Sequence, residues 1–428
     1  MSRDVLLTGF GVRTAFGTGA DALRDGVFDG RPAFAPITRF DATPYRTGMA
    51  AAAGAGAPLR DVLAETAAAA LDMARLPAGA RAAVLVGTAG DFTGLTRFWR
   101  AMAADAPDRA AGATTAADGS GSALGSGSPP GSGSPLGSGS PLGSGSALGD
   151  GSGIPLGGAA DTVPAWQAVA LADRLDLRGP RLAFTNACVA SATAVVHACR
   201  LIAAGRVETA LCAGAYLVEE ENLAKFGSGF ALSKDGAVRP FSAGRSGLLL
   251  GDGAAAVVLE SADSARRRGV RPLGAVTGWG AASDAYHVAR PHPEGAGLVG
   301  AARQALRRAG GPVIDYVNAH GTATKQNDPA ETRGLHVLFG EQAGSVPVSS
   351  TKSTTGHLLE AAGVVELVIT LLALRDGVLP PTAGFIAADP ACDLDYVPNR
   401  PRRAGIRRAM SLNSAFGGAN TALVLERT

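Results

Sequence analysis

The sequence predicts an α/β protein with a largely buried sheet, and three observations carry that expectation. Short apolar runs of strand type alternate with alanine-rich helical segments along the whole chain. The runs are continuous rather than alternating in polarity, which is the pattern of strands covered on both faces. The 428 residues, 46% hydrophobic, suffice for a sizeable core in roughly two to three domains, or in one duplicated domain.

Taken in order, strands are expected at 5–12, 82–87, 182–186, 209–213, 254–260, 316–319, 346–349, 409–413 and 421–426. Helices are expected at 59–74, 189–204, 299–308, 329–338 and 358–375. The last is the most apolar, but Glu360 and Glu366 interrupt it and it is too short to span a bilayer comfortably. It reads as a core helix. The two halves, meeting near Ser261, each carry such a series, and no internal repeat is readable between them.

Composition narrows the function classes. A formal net charge of +2 gives no global field for nucleic acid or an anionic membrane surface. The N-terminus, MSRDVLLTGFGV, has no basic region ahead of a long apolar run, so no signal peptide is expected. Cys188, Cys199, Cys212 and Cys392 form no CxxC pair or scaffold spacing, which suits a reduced, cytoplasmic protein without a metal site. Glycine is in excess at 59 residues, and one cluster explains much of it. From Gly119 to Leu148 the chain runs through five GSGS-type hexads, a flexible insertion within 119–153. The remaining glycines are expected largely in tight turns.

Candidate chemistry begins at TNACVASATAVVHACRLIAAG. Cys188 stands between an apolar strand and a helix, where unpaired N–H groups and the helix dipole favour a thiolate. A nucleophile and a small buried hydrophobe both fit it; Cys199 and Cys212 read as the latter. His320 opens the turn HGTATKQND after a strand, and His357 sits between KSTTG and the apolar helix. Ends of strands and starts of helices in α/β folds share a crevice. A papain-like hydrolase would pair one His with the thiol and orient it with an Asn or Asp. Two His with a Lys, and no strong orienting carboxylate, fit that poorly. In NSAFGGANTALVLE, Gly417 and Gly418 permit a tight turn able to aim N–H groups at a carbonyl oxygen.

In this order the stretches VLLTGFGVRTAFG, PITRFDATPY, TNACVAS, RPFSAGRSGLLLGDGAAAVVLE, GAASDAYH, HGTATKQNDPAET, VSSTKSTTGHLLEAAG, CDLDYVP and NSAFGG resemble the β-ketoacyl-acyl carrier protein synthases. The likeness is to synthase II of fatty-acid synthesis and to ketosynthase subunits of type II polyketide synthases, and covers all but the insertion. It implies a thiolase fold: a duplicated αβαβα five-layer architecture, with halves at 1–261 and 262–428. It implies that Cys188 holds the acyl chain as a thioester, while His320 and His357 assist malonyl decarboxylation. Lys352, matched with Glu331, would organise the site or form a buried structural ion pair. Backbone N–H groups of Cys188 and Phe416 would form the oxyanion hole, with Phe416 also the gate. Thr322, Thr324, Ser283, Phe226, Gly417 and Gly418 match substrate-binding positions.

The resemblance further implies substrates carried on the phosphopantetheine of an acyl carrier protein, and no cofactor held by the chain itself. It implies a dimer, either of two copies or with a chain-length-factor-like subunit. Arg97, Arg100 and Arg266–Arg268 are the candidate basic patch for the acidic carrier protein. An acyltransferase without condensation and a non-catalytic subunit remain the competing functions. Departures from the family pattern at Val189, Ala323, Phe230 and Glu360 and in the stretch RSGLLLGDGAAA suggest a remodelled pocket and a specialised substrate; Glu360 is expected to face solvent or a partner.

Overall fold

The computed structural model describes residues 4–53, 57–96, 160–311 and 313–428. Met1–Phe92 with Ala160–Thr428 forms one unit, and Thr93–Ala159 a second, of which only 93–96 are described. The Gly/Ser insertion, Arg97 and Arg100 lie outside the described residues.

Five strands come from the first part of the chain: β1 (Val5–Thr14), β2 (Ala83–Gly87), β3 (Arg181–Phe184), β4 (Thr209–Tyr216) and β5 (Gly253–Ser261). Five follow: β6 (Gly274–Ser283), β7 (Tyr316–Asn318), β8 (Val348–Ser349), β9 (Arg408–Ser414) and β10 (Ala419–Glu426). They hydrogen-bond in the order β8-β7-β9-β10-β6-β1-β5-β4-β2-β3, with a two-residue strand at Gly17–Thr18 beside β1. One pattern is used twice. In each set the second strand pairs parallel with the third and fourth, the fourth antiparallel with the fifth, and the fifth with the first. The sets meet where β1 and β6 pair through Val5, Leu6 and Leu7.

The helices are α1 (Leu59–Met73), α2 (Pro164–Arg174), α3 (Ala190–Ala203), α4 (Glu220–Ser228), α5 (Ala296–Arg308), α6 (Asn327–Phe339) and α7 (Ala362–Asp376). α1 and α2 cover the first set, and α5, with α6 against it, covers the second. α3 and α7 pack on strands of both sets and on each other, giving the layer order α-β-α-β-α. α7 is buried from Ala362 to Leu374, as its all-round apolar sequence requires. None of the described helices is long and apolar enough to cross a membrane.

The strand β6 is absent from the sequence expectation; its run GAVTGWGAAS is broken by three glycines. Packing supplies the reason for its glycines. A Cβ at Gly278 would stand 2.2 Å from the Ala305 carbonyl oxygen, and one at Gly280 1.9 Å from that of Ala301, both on α5. The counterpart strand β1 does the same, with Gly9 and Gly11 2.3 and 2.0 Å from the Ala70 and Thr66 oxygens of α1. Glycine therefore serves helix-on-sheet approach as well as turns. Replacing Gly280 by Ala forces backbone apart and is expected to cost about 3 kcal/mol or more. Gly405, with nothing within 4 Å of its would-be Cβ, is the control, and its Ala variant should stay within about 0.5 kcal/mol of the parent. Urea unfolding of the two variants checks this difference.

Candidate active site

Cys188 lies in a tight turn, Ala187–Val189, between β3 and α3. Ala187 adopts φ +52, a left-handed conformation that is costly for a residue with a Cβ and that bends the chain sharply into the helix. The Cys188 side chain ends 5% exposed, its Sγ 3.1 Å from His357 Nε2. His357 is placed by its own backbone. Its N–H donates to the Leu249 oxygen at 2.7 Å and its oxygen accepts from Gly251 at 3.1 Å. Gly356 before it has φ +72, and a Cβ there would meet the Leu250 oxygen at 2.8 Å.

His320 completes the cluster, its ring 5.4 Å from that of His357 and edge-on to it. Its turn is held from below by a carboxylate: Glu331 on α6 accepts the His320 and Gly321 N–H groups, each at 2.8 Å. Asn327 donates to the same carboxylate and to Asp328, which in turn accepts the Phe241 N–H at 2.7 Å. Burial pushes Glu331 up to about 7 and Asp328 up to about 6, against the pull of those N–H donors. Both act on the turn, not on the reacting atoms.

The partner of Lys352 is therefore different from the one expected. Its ammonium pairs with Glu366, the one acid inside the core stretch of α7, and Asn413 donates to the second Glu366 oxygen at 2.6 Å. Glu331 is engaged with backbone instead. Both histidines are held well below the usual imidazole range by burial and then by the Lys352 charge, with His357 adding to the effect on His320. They are neutral donors or acceptors. Neither Nδ1 has a hydrogen-bond partner.

The thiol also departs from expectation. Burial, reinforced by the Glu360 charge and opposed by Lys352, pushes Cys188 up to about 12. The helix-end effect is outweighed by desolvation, and the resting residue is a thiol beside a neutral imidazole.

The cluster opens into a cleft of about 1360 Å³ lined by Cys188, His320, His357, Thr322, Thr324 and Phe226, among others. Thr322 and Thr324 bridge their hydroxyls at 3.0 Å. Phe416, 49% exposed, stacks on Phe226 at 5.4 Å, and Phe226 meets the His357 ring edge-on at 6.4 Å. Gly417 and Gly418 turn the chain with φ +81 and +76 beside Phe416 without lining the cleft. Ser283 does not line it either; its hydroxyl accepts the Ala285 N–H at 3.3 Å, and Asp284 faces the cleft instead.

The expected basic patch at Arg266–Arg268 is elsewhere, tied to Asp263, Glu208 and Glu260. Arg46, Lys225, Lys234, Arg290 and Lys325 line the cleft in its place. Phe230 is 74% exposed there, with the Arg46 guanidinium 5.1 Å over its ring. Glu360, partly exposed, lines a smaller cavity beside the cleft, and desolvation raises its carboxyl.

Two family models match the chain: the β-ketoacyl synthase N-terminal domain over residues 2–265 and the C-terminal domain over 273–386. The chain belongs to the β-ketoacyl synthase family. Among family members it is 40% identical over 262 residues to 3-oxoacyl-[acyl-carrier-protein] synthase 2 of Coxiella burnetii, covering 59% of this chain and 63% of that one. It is 39% identical over 267 residues to nodulation protein E of Rhizobium meliloti, covering 62% and 66%. The matched stretch thus spans under two thirds of each relative's length. The ishigamide ketosynthase/chain length factor superposes over all of both chains with a TM-score of 0.85 at 29% identity. The β-ketoacyl synthase fold is thereby established for this chain.

A buried neutral thiol has a readable pH signature. Its alkylation by iodoacetamide needs the thiolate, so the Cys188 rate should climb about ten-fold per pH unit from pH 6 to pH 10 without levelling. Peptide-resolved mass spectrometry follows it, and a plateau beginning near neutrality would show a stabilised thiolate instead.

Proposed function

We propose that the chain catalyses decarboxylative Claisen condensation between an acyl group held on Cys188 and a malonyl thioester, both delivered on the phosphopantetheine of an acyl carrier protein. The observation that carries this reading is the Cys188–His357 contact at 3.1 Å with the His320 ring beside it, all at one end of the open cleft. In the first half-reaction a bond forms from Cys188 Sγ to the acyl carbon as the pantetheine C–S bond breaks. The thiol proton passes through His357 Nε2 to the departing sulfur. Backbone N–H groups of Cys188 and Phe416 hold the oxyanion.

In the second, the malonyl C–C bond breaks, CO₂ leaves, and the electron pair becomes a thioester enolate. Nε2–H groups of His320 and His357 donate to its oxygen. The enolate carbon then attacks the acyl carbonyl, the Sγ–C bond breaks, and the departing Cys188 thiolate takes up one proton from solvent, relayed through His357 Nε2. Two uses of one Nε2 require that the His357 tautomer be free to change, and an unpartnered Nδ1 permits that. Lys352 and Glu331 are positioning residues in this scheme, the first keeping both rings neutral and the second fixing the His320 turn. Thr322, Thr324 and Phe226 line the path of the pantetheine arm, which remains a substrate; the chain itself holds no cofactor in this reading.

The cations at the cleft suit an acidic carrier protein, and the neighbour solved with a chain length factor supports a two-subunit assembly of like folds. The units of duplication in this reading are 1–261 and 262–428. Four free, buried cysteines suit the reducing cytoplasm.

Intact-mass analysis after incubation with acyl carrier protein thioesters tests the reading. An acyl adduct should form on the parent chain and be lost in Cys188→Ala, while His320→Ala and His357→Ala should lower malonyl-dependent CO₂ release by roughly 100-fold or more. An adduct without CO₂ release on the parent would indicate simple acyl transfer, and no adduct a non-catalytic subunit. Reversing Lys234 and Lys325 to Glu should raise KM for the carrier-protein substrate roughly 10-fold more than KM for a free pantetheine thioester, as measured by steady-state kinetics.

A further inference from the structure

Beside the cleft lies a second cavity of about 30 Å³, lined among others by Tyr216, Glu219, Asn222, Lys225 and Glu360. Lys225 lines both spaces, and the Glu360 charge acts directly on Cys188. The segments that carry them also touch, since the turn Leu359–Ala361 packs on the Cys188 turn and on β4. The volume admits one small polar group and excludes a folded alkyl segment.

Its walls carry more acid than base. Glu219 and Glu360 both face it, Glu221 lines its edge, and Asp91 opposes ionisation of Glu219. Burial raises both inner carboxyls, Glu219 to about 8 even with the Phe92 N–H donating to it. Lys225, the cation at its wall, is held by Glu221 at 2.6 Å with its side chain mostly in solvent. Tyr216 contributes a hydroxyl on a side chain only 4% exposed, and that hydroxyl has no hydrogen-bond partner. A metal is not what the geometry suits, for among the described residues no group of three or more His, Cys, Asp or Glu is arranged to hold one.

We propose that this cavity is the terminal subsite for the acyl chain carried on Cys188, and that Glu219, Glu360 and Tyr216 select a chain ending in a primary ammonium. The inference rests on the condensing function above, in that it needs an acyl group on Cys188. An ammonium brings three donors and one positive charge, matching two carboxyls and a phenol oxygen. A methyl end would strip water from the same groups and return nothing, which is the costly case for buried polar atoms. A hydroxyl supplies a donor but leaves the charge unanswered.

The test compares pantetheine thioesters of hexanoate, 6-hydroxyhexanoate and 6-aminohexanoate, reading Cys188 acylation by peptide-resolved mass spectrometry. The amino chain should load faster than hexanoyl by at least roughly 10-fold, the scale of one charge-assisted hydrogen bond. The amino-to-methyl ratio should fall in Glu219→Gln and in Glu360→Gln and approach one in the double variant. Because the ratio is taken within each variant, general losses of fold or activity cancel, and Tyr216→Phe, which keeps the ring, should lower it by a smaller factor. Three results overturn the proposal: faster loading of hexanoyl on the parent, equal loading of the hydroxyl and amino chains, or an amino preference that survives in the double variant. In each of them an acyl adduct still forms, so the condensing reading stands; acylation by none of the three chains removes that reading and this one together.

Discussion

Desolvation at the junction of the two strand sets is the constraint on which the rest of the molecule depends. Cys188, His320 and His357 are each no more than 5% exposed, so none of them can carry charge cheaply. Their neutrality at rest follows directly, and chemistry between them becomes proton sharing instead of ion pairing. One full ion pair is admitted to the same interior, Lys352 with Glu366, and Asn413 helps to satisfy it. That pair is costly to bury and is weak grounds for stability. Its effect on the site is electrostatic. A fixed cation near two imidazoles opposes their protonation, so they keep a lone pair to accept with or a proton to donate, as each step requires.

The repeated strand order explains why these groups meet. In the first set the chain leaves the third strand, β3, passes Cys188 and enters the central helix α3. In the second it leaves the third strand, β8, passes Lys352 and His357 and enters the other central helix, α7. Equivalent strand-to-helix turns thus deliver Cys188 from one side and His357 from the other. Since α3 and α7 pack against each other, their leading turns converge. The pair Cys188–His357 is a contact between two copies of one topological position, 169 residues apart in sequence.

What the sequence made legible were features that a local pattern encodes. Apolar runs marked nine of the eleven strands described in the large sheet, and flanking turns marked Cys188, His320 and His357. Features set by a distant neighbour were not legible. β6 was hidden because its glycines answer to α5, whose carbonyls approach within the space a Cβ would take. Glu366 read as a mere interruption of an apolar helix, because its partners Lys352 and Asn413 lie 14 and 47 residues away. The one available signal was an acid within an otherwise apolar core helix, which implies a buried cation. Arg266–Arg268 misled for the opposite reason: residue type suggested a role, while local ion pairs had already used them, and Ser283, matched only by family resemblance, accepts the Ala285 N–H in its own turn.

Four single-residue departures from the family pattern are not scattered. Val189 is the buried neighbour of the nucleophile, and Ala323, in a left-handed conformation at φ +61, lies in the His320 turn. Phe230 lies exposed on the cleft under Arg46, and Glu360 faces the small cavity near Cys188. All four therefore line, or sit one residue from a residue that lines, the cleft at Cys188 or the small cavity beside it. None replaces a group that handles protons or charge in the reaction. Under the proposed function, departures at these places with Cys188, His320 and His357 kept bear on what the site accepts and not on the reaction it carries out. A carboxyl at the small cavity and an aromatic ring on the open cleft give that change a chemical direction under the proposed function: polar, charged acyl groups inside and a more apolar contact at the entrance.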